Sequence, residues 1–382
     1  MIFSENIIRK DIGPAKYSES IYAYYNRSAR HDVENIREII ETWYKEYPLL
    51  NKIKLSKGLR SMNNREFYSN FFELFVYNYL KSILTIRPLD SNGSKETKYD
   101  FDAKFNGDSI CIEATVSYDS DNYNIKKQRR NKIIDYINRN VKDDKYYLYF
   151  SIKKEGVNEP RLKHLVKEIK IFIIDSGDGI KTIDEEGSFL EYQKNTIAIE
   201  DWIFEVSLIP RKDKESNNVR AIGIGPMEFV WSRDVESLKN SIQYKAKHYK
   251  NIKDQYLLVI NNMNNFGTDD EDVISCLFGK EELSINIETG ETSTSRKRDG
   301  VWVGPKGPRN LILAGILFFN KLTPWNIENN QPTLYVNPWA NLKNDMSWWK
   351  WRRLQVDEKT GKYEFINTEK YPKSYFGIMT LR

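Results

Sequence analysis

Apolar residues recur at helical spacing early in the chain. Near residue 100 they switch to strict alternation, and beyond that point the two periods take turns. In "DVENIREIIETWYKEYPLL", Val33, Ile36, Ile39, Ile40 and Trp43 share a helical face, which predicts an amphipathic helix stopped near Pro48. A second helix is predicted over 64–83, apolar around much of its circumference and therefore deeply packed. A polar loop over 90–96 leads into a hairpin, "KYDFDAKFNGDSICIEATVS". Helices are then predicted at "NIKKQRRNKIIDYINRNVK", at "EPRLKHLVKEIKIFI" with Pro160 at its start, and at "RDVESLKNSIQYKAKHYKNI". Strands are predicted at "YYLYFSIK", "DWIFEVSLIP", "VRAIGIGPMEFV", "QYLLVINN" and "LILAGILFF". "DDEDVISCLFG" reads as a short helix with acids at its positive end and Gly279 closing it, and "STSRKRDGVWVGPKGPRN" as a polar, basic loop. Helices followed by apolar strands predict an α/β layered core. No internal repeat and no clear linker is visible, so one elaborated domain is expected. Its parts are a helical extension over 1–60, the core over 61–265 and an α+β elaboration over 266–382.

The hairpin carries the chemistry. Asn106-Gly107 is the signature of a two-residue type I′ turn, whose central residues both need positive φ. That turn sets Asp102 opposite Cys111 and Asp100 opposite Glu113. Phe101, Ala103, Phe105, Ile110, Ile112 and Ala114 then share one face. Asp100, Asp102, Lys104, Cys111, Glu113 and Thr115 share the other, and a one-residue slip would mix the two. Directly opposed side chains lie about 5 Å apart, so two carboxylates there repel unless water or a cation neutralises them. A solvated strand face answers this, and so does a hard divalent cation held by oxygen ligands. Glu113 sits in an apolar, β-branched strand, where an unpaired carboxylate is costly. Glu73 has the same difficulty in "NFFELFVYN". Its helical neighbours Glu66, Asn70 and Tyr77 offer polar contacts, and the alternative is that it points toward the hairpin acids.

Composition narrows the class without choosing a function. The 382 residues include 24 Tyr, 18 Phe and 9 Trp, enough for a sizeable core and also suited to stacking on bases. The net charge of +5 mildly favours an anionic partner. Cys111 and Cys276 lie in no metal-binding spacing and read as buried thiols in a reducing compartment. No signal peptide is read at the start, and the longest apolar run, 311–319, is far below the roughly 20 residues of a membrane span. A soluble cytoplasmic protein is expected, with no membrane partner.

A Glu-bearing helix, an Asp at a strand start and an acid in the next strand resemble the PD-(D/E)xK nuclease superfamily. The stretch from Arg65 to Thr115 is also similar to a bacterial group, mostly of unassigned function, with "PDF" and "EAT" strands. That similarity continues through "LKNSIQYKAKHY", "CLFG", "DGVWVGPKGPRN" and "NPWANL". The resemblance implies a restriction-endonuclease-like mixed sheet flanked by helices. It implies phosphodiester cleavage with Mg²⁺, for which Mn²⁺ would substitute, and Glu73, Asp100 and Glu113 as the metal-binding carboxylates. Tyr99 replaces the family's proline, which does no chemistry. Thr115 replaces its lysine and could at most orient water. In some members the basic group migrates to a neighbouring helix, and Lys245, then Lys247, are the candidates on "SIQYKAKHYKN"; the alternative is a solvated surface helix. Lys104 lies too far along its strand to substitute, and Asp102 would be an auxiliary ligand.

Three basic segments would hold a phosphate backbone: Lys126, Lys127, Arg129 and Arg130; Arg296, Lys297 and Arg298; and Lys350, Arg352 and Arg353 among tryptophans that would stack on unpaired bases. Solvated faces for the first two and a packed cluster for the third are the plainer alternatives. The expected function is a Mg²⁺-dependent DNA endonuclease in restriction or antiphage defence, with RNA not excluded. The rival is a nuclease-fold protein that binds nucleic acid or a partner without cutting, or a non-catalytic subunit of a defence complex. A homodimer or a defence-complex partner stays open.

Overall fold

The computed structural model describes residues 1–89, 99–118, 121–176, 194–211, 220–224, 235–248, 252–264, 268–342, 346–357, 362–367 and 369. The helical start of the chain becomes four helices: α1 (Ile21–Arg27), α2 (His31–Glu46), α3 (Lys52–Leu59) and α4 (Asn64–Leu80). Pro48 stops α2 as expected. A residue before proline is pushed out of the helical region, and Tyr47 is extended at ψ 135°. Asn63 caps α4 by accepting the Arg65 N–H. Strands β1 (Thr85–Pro88), β2 (Phe101–Phe105) and β3 (Asp108–Ser117) follow. Next come α5 (Asp121–Asn140), β4 (Tyr146–Lys154), α6 (Leu162–Ser176), β5 (Lys194–Ile199), β6 (Trp202–Pro210) and β7 (Ile222–Ile224). Helix α7 (Glu236–His248), strand β8 (Gln255–Asn262) and helix α8 (Asp270–Phe278) lead into the last third. That third contains β9 (Glu281–Ile285), β10 (Thr292–Arg296), β11 (Val303–Gly304), β12 (Gly307–Pro308), β13 (Leu313–Asn320), β14 (Thr333–Val336), β15 (Arg353–Val356) and β16 (Tyr363–Ile366).

The chain divides into two compact units, although no linker is visible in the sequence. The first comprises Met1–Ile12, Ser20–Ser120 and Ser232–Arg382, and the second Gly13–Glu19 and Asp121–Trp231. The first unit is built on a mixed sheet of order β1-β2-β3-β8-β13-β14-β15-β16. β1, β2 and β3 pair antiparallel, and β8 lies parallel to both β3 and β13. Period-two alternation gives this sheet two buried faces. On one, Phe319 packs edge-on against Phe72, Phe75 and Tyr79 of α4. On the other, Tyr256, Leu258, Ile260, Ile316 and Phe318 pack with Leu238 and Ile242 of α7 and with the apolar side of α8. Asp269 and Asp272 form a capping box at the start of α8, and Gly279, at φ 105°, ends it.

In the second unit β5-β6-β4-β7 form their own sheet, and Phe150, Trp202, Phe204 and Val206 pack with α5 and α6 side chains. The sequence pattern omits β1, β5, β9, β14, β15 and β16. It also read 293–310 wholly as loop, whereas β10 pairs with β9 and β11 with β12. Most of the strand expected over 219–230 lies outside the described residues beyond β7. Cys111 and Cys276 are free and buried. Among the described residues no helix is long and apolar enough to cross a membrane.

Candidate active site

The turn of the β2–β3 hairpin fixes the position of its acids. Asn106 and Gly107 take φ of 50° and 95°, and Phe101 pairs with Ile112, Asp102 with Cys111. This is the register the sequence predicts. Asp100, one residue before β2, donates its backbone N–H to the Ile112 carbonyl at 3.1 Å. Its side-chain Oδ2 accepts the Ala114 N–H at 2.8 Å, so the carboxylate lies against the backbone next to Glu113. Glu113 is only 3% exposed. Cys111, on the same strand face, packs in the cluster that contains α7, and from α7 comes the counter-charge. The Lys245 ammonium donates to Glu113 Oε1 in a close ion pair, and its side chain is 24% exposed. One turn of the helix earlier, the Ser241 hydroxyl meets that of Ser117 at 3.3 Å, which keeps α7 in step with β3.

Glu73 enters from α4. Its Oε1 accepts the Tyr47 hydroxyl at 2.8 Å. Tyr47, held in place at the end of α2, is 2% exposed and packs edge-on against Tyr77. Glu73, Asp100 and Glu113 are close enough to raise one another's energy. Burial pushes the Asp100 carboxyl well above the ordinary carboxylate range, and the charges of Glu113 and Glu73 push it further. The Ala114 N–H and Lys245 pull against that rise. Burial likewise raises Glu73, with Glu113 adding to it, while the Tyr47 hydrogen bond and Lys54 oppose. Three acids therefore crowd one region, Glu113 buried and Glu73 and Asp100 half-buried, in which Lys245 is paired with one of them.

Asp102 stands apart from this group. It accepts Arg87 Nη2 at 2.9 Å and the Tyr99 hydroxyl at 2.7 Å, so its charge is already offset. Thr115 lies beside Ile260 in the β3–β8 ladder, two residues beyond Glu113. Lys247 is exposed on α7 and forms no pair with the acids. Tyr47 and Lys54 are additions that the sequence reading did not single out. Their only trace in the sequence is "EYPLLNKIK", a tyrosine and two lysines around the helix break.

The basic segments are more engaged than their composition suggests. Arg130 pairs with Glu155, and Arg129 donates to the Gly156 carbonyl at 3.1 Å, while Lys126 and Lys127 are exposed. Arg296 donates to the Tyr363 hydroxyl at 2.6 Å, and Lys297 pairs with Glu282 at 3.1 Å; Arg298 is exposed. Arg352 makes a two-pronged pair with Asp270, and Lys350 approaches Glu369 at 3.6 Å. Arg353 opens β15 and is half-buried. Trp348, Trp349 and Trp351 are buried and pack on one another, so they are core rather than a stacking platform for bases.

Carboxylate oxygens are hard donors that suit Mg²⁺. Two of the acids are pushed upward, first by burial and then by neighbouring negative charge, and a divalent cation would offset the second of these. In that sense the donor set fits such an ion. Among the described residues, however, no group of three or more His, Cys, Asp or Glu side chains is arranged to hold a metal. The three acids are electrostatic neighbours rather than a ready-made cage, and the side chains would have to turn inward to share one. No protein-family model, curated protein or solved structure matches the chain significantly.

Proposed function

We propose that the chain is a Mg²⁺-dependent endonuclease that hydrolyses phosphodiester bonds in DNA, on a restriction-endonuclease-like core. The observation that carries this reading is the meeting of Asp100 and Glu113 on one hairpin with Lys245 from α7. The mixed sheet flanked by helices is in keeping with it. Asp100, Glu113 and Glu73 would hold the ion, which when bound supplies charge neutralisation at the phosphate and a more acidic water. The chain's own residues do the rest. Lys245 brings to Glu113 the positive charge that the resemblance places at residue 115, and there it would orient the attacking water and stabilise charge developing on phosphate oxygens. Tyr47 holds one oxygen of Glu73 and leaves the other to turn toward the ion. Asp102 takes no part, because Arg87 and Tyr99 already occupy it. A role in restriction or antiphage defence would follow from such an activity.

The test is incubation of supercoiled and linear DNA with the purified chain in Mg²⁺, in Mn²⁺ and in chelator. Cleavage is expected with either metal and none in chelator or with Asp100→Asn. Undiminished cleavage in chelator, or by that variant, would overturn the reading. A second reading draws on Thr115, which stands where the resemblance places a lysine. In it the same site binds DNA without cutting, and binding with no cleavage under either metal would favour it.

A further inference from the structure

The helical region before residue 60 contributes to the acidic site. Helix α3 and α4 are joined by a four-residue connection, 60–63, so they run as antiparallel neighbours. They touch where Gly58 meets Asn70: a methyl group on Gly58 would come within 2.0 Å of the Asn70 amide nitrogen, so that side chain would have to turn aside. Counting one turn from it in each direction brings Lys54 on α3 level with Glu73 on α4. The influence of the Lys54 charge on Glu73 agrees with this alignment. Lys57 is the next residue on the same side, one turn along. Both lysines are exposed, and neither forms an ion pair among the described residues. Leu49 and Ile53 beside them are 84% and 87% exposed, so the described residues of this unit leave the face open.

We propose that Lys54 and Lys57 bind the DNA phosphate backbone at the rim of the carboxylate site, and that α3 thereby guides the strand toward Glu73, Asp100 and Glu113. This rests on the reading of that site as one that acts on DNA. Phosphate contacts of this kind position the strand without reading its sequence. They differ from the predicted basic residues Arg130, Arg296 and Arg352, whose guanidinium groups are already engaged.

The experiment is fluorescence anisotropy of labelled duplex DNA with the full chain, in chelator, over a series of NaCl concentrations. Removing two phosphate contacts should weaken binding and reduce the slope of log affinity against log salt by roughly 0.9 per contact. The double variant Lys54→Ala, Lys57→Ala should therefore lose about 1.8 from the slope. Lys54→Arg, Lys57→Arg should restore it. The control Lys167→Ala, Lys170→Ala removes the same charge from exposed positions on α6 and should leave the slope unchanged. Wild-type affinity and slope in the α3 variant, or an equal loss in the control, overturns the inference while leaving the endonuclease reading standing. DNA binding that depends on α3 but is never followed by cleavage in Mg²⁺ supports the inference and overturns the endonuclease reading. Binding to RNA alone, or to no nucleic acid, overturns the inference.

Discussion

Two aspartates near the open end of the β2–β3 hairpin meet opposite surroundings. Asp100 and Asp102 lie two positions apart on one strand face. Asp102 faces an arginine on the neighbouring edge strand and a tyrosine hydroxyl, and its side chain keeps 27% exposure. Asp100 has a backbone N–H for a partner, with Glu113 and Glu73 as its strongest charged neighbours. At Asp102, then, an acid completes an ion pair with an exposed arginine. At Asp100, acids accumulate around a lysine that is paired with Glu113. Alternation decides which face a carboxylate takes; what crosses over from α4 and α7 decides whether it is neutralised or left charged and crowded.

Breaking the Asp100–Glu113 cluster should have the largest effect. Asp100→Asn and Glu113→Gln keep shape and remove charge, and each should reduce Mg²⁺-dependent cleavage by about 10³-fold or more. Circular dichroism should stay unchanged, and retention of wild-type rates in both would leave Asp100 and Asp102 equivalent. Lys245→Ala should follow, with a loss of about 10²–10³-fold. It should also cost stability, since Glu113 would remain buried without its cation, a penalty of about 1–3 kcal/mol. Urea denaturation reads that loss; a variant as stable as wild type would mean that the Lys245–Glu113 pair contributes nothing to the fold.

What could be read in advance follows from how local the cause is. Asn106-Gly107 sets the register through two adjacent dihedral pairs, so the positions of Asp100 and Glu113 follow from a dozen neighbouring residues. Lys245 is singled out only through the resemblance, in which the basic group migrates to a neighbouring helix; the periodicity of α7 does not separate it from Lys247, and its partner lies 132 residues away. Tyr47 was not accessible. Its contact with Glu73 depends on how the end of α2 packs beside α4, which no pattern in either helix encodes. The same holds for Arg352, whose charge is plain in the sequence while Asp270, its partner, lies 82 residues earlier. The second unit was hidden for another reason: its strands and helices have the same composition and periods as the rest, so its insertion between β3 and α7 leaves no mark on the pattern.

A smaller effect should show the crowding at Asp100 by pH alone. A carboxyl whose folded value is raised binds its proton more tightly in the native state than in the unfolded chain. Its stabilising contribution is complete below the ordinary value, 3.8 for Asp100, and is lost as pH climbs toward the raised one. Other carboxylates act in the opposite sense, Asp32 beside Arg30 among them. The informative quantity is therefore the difference between wild type and Asp100→Asn, followed by denaturation midpoints in chelator. That difference should shift in favour of the variant as pH rises through the window above 3.8. Added Mg²⁺ should reduce the variant's advantage at neutral pH by binding the wild type. A difference independent of pH would mean that Asp100 is not crowded.

Asp102 should barely respond, and that silence is the sharpest contrast with Asp100. Asp102→Asn removes one partner of an exposed pair in which Arg87 is 78% exposed and free to rehydrate. Such pairs are worth about 0–1 kcal/mol and weaken with salt. The amide still accepts the Tyr99 hydroxyl, so the local hydrogen bond survives. Cleavage should stay within about twofold of wild type, given that the lost pair is worth less than about 1 kcal/mol. The denaturation midpoint should change less at high salt than at low. A loss comparable to that of Asp100→Asn would place Asp102 among the groups that hold the ion, and the charge on Arg87 would then serve the site rather than the surface.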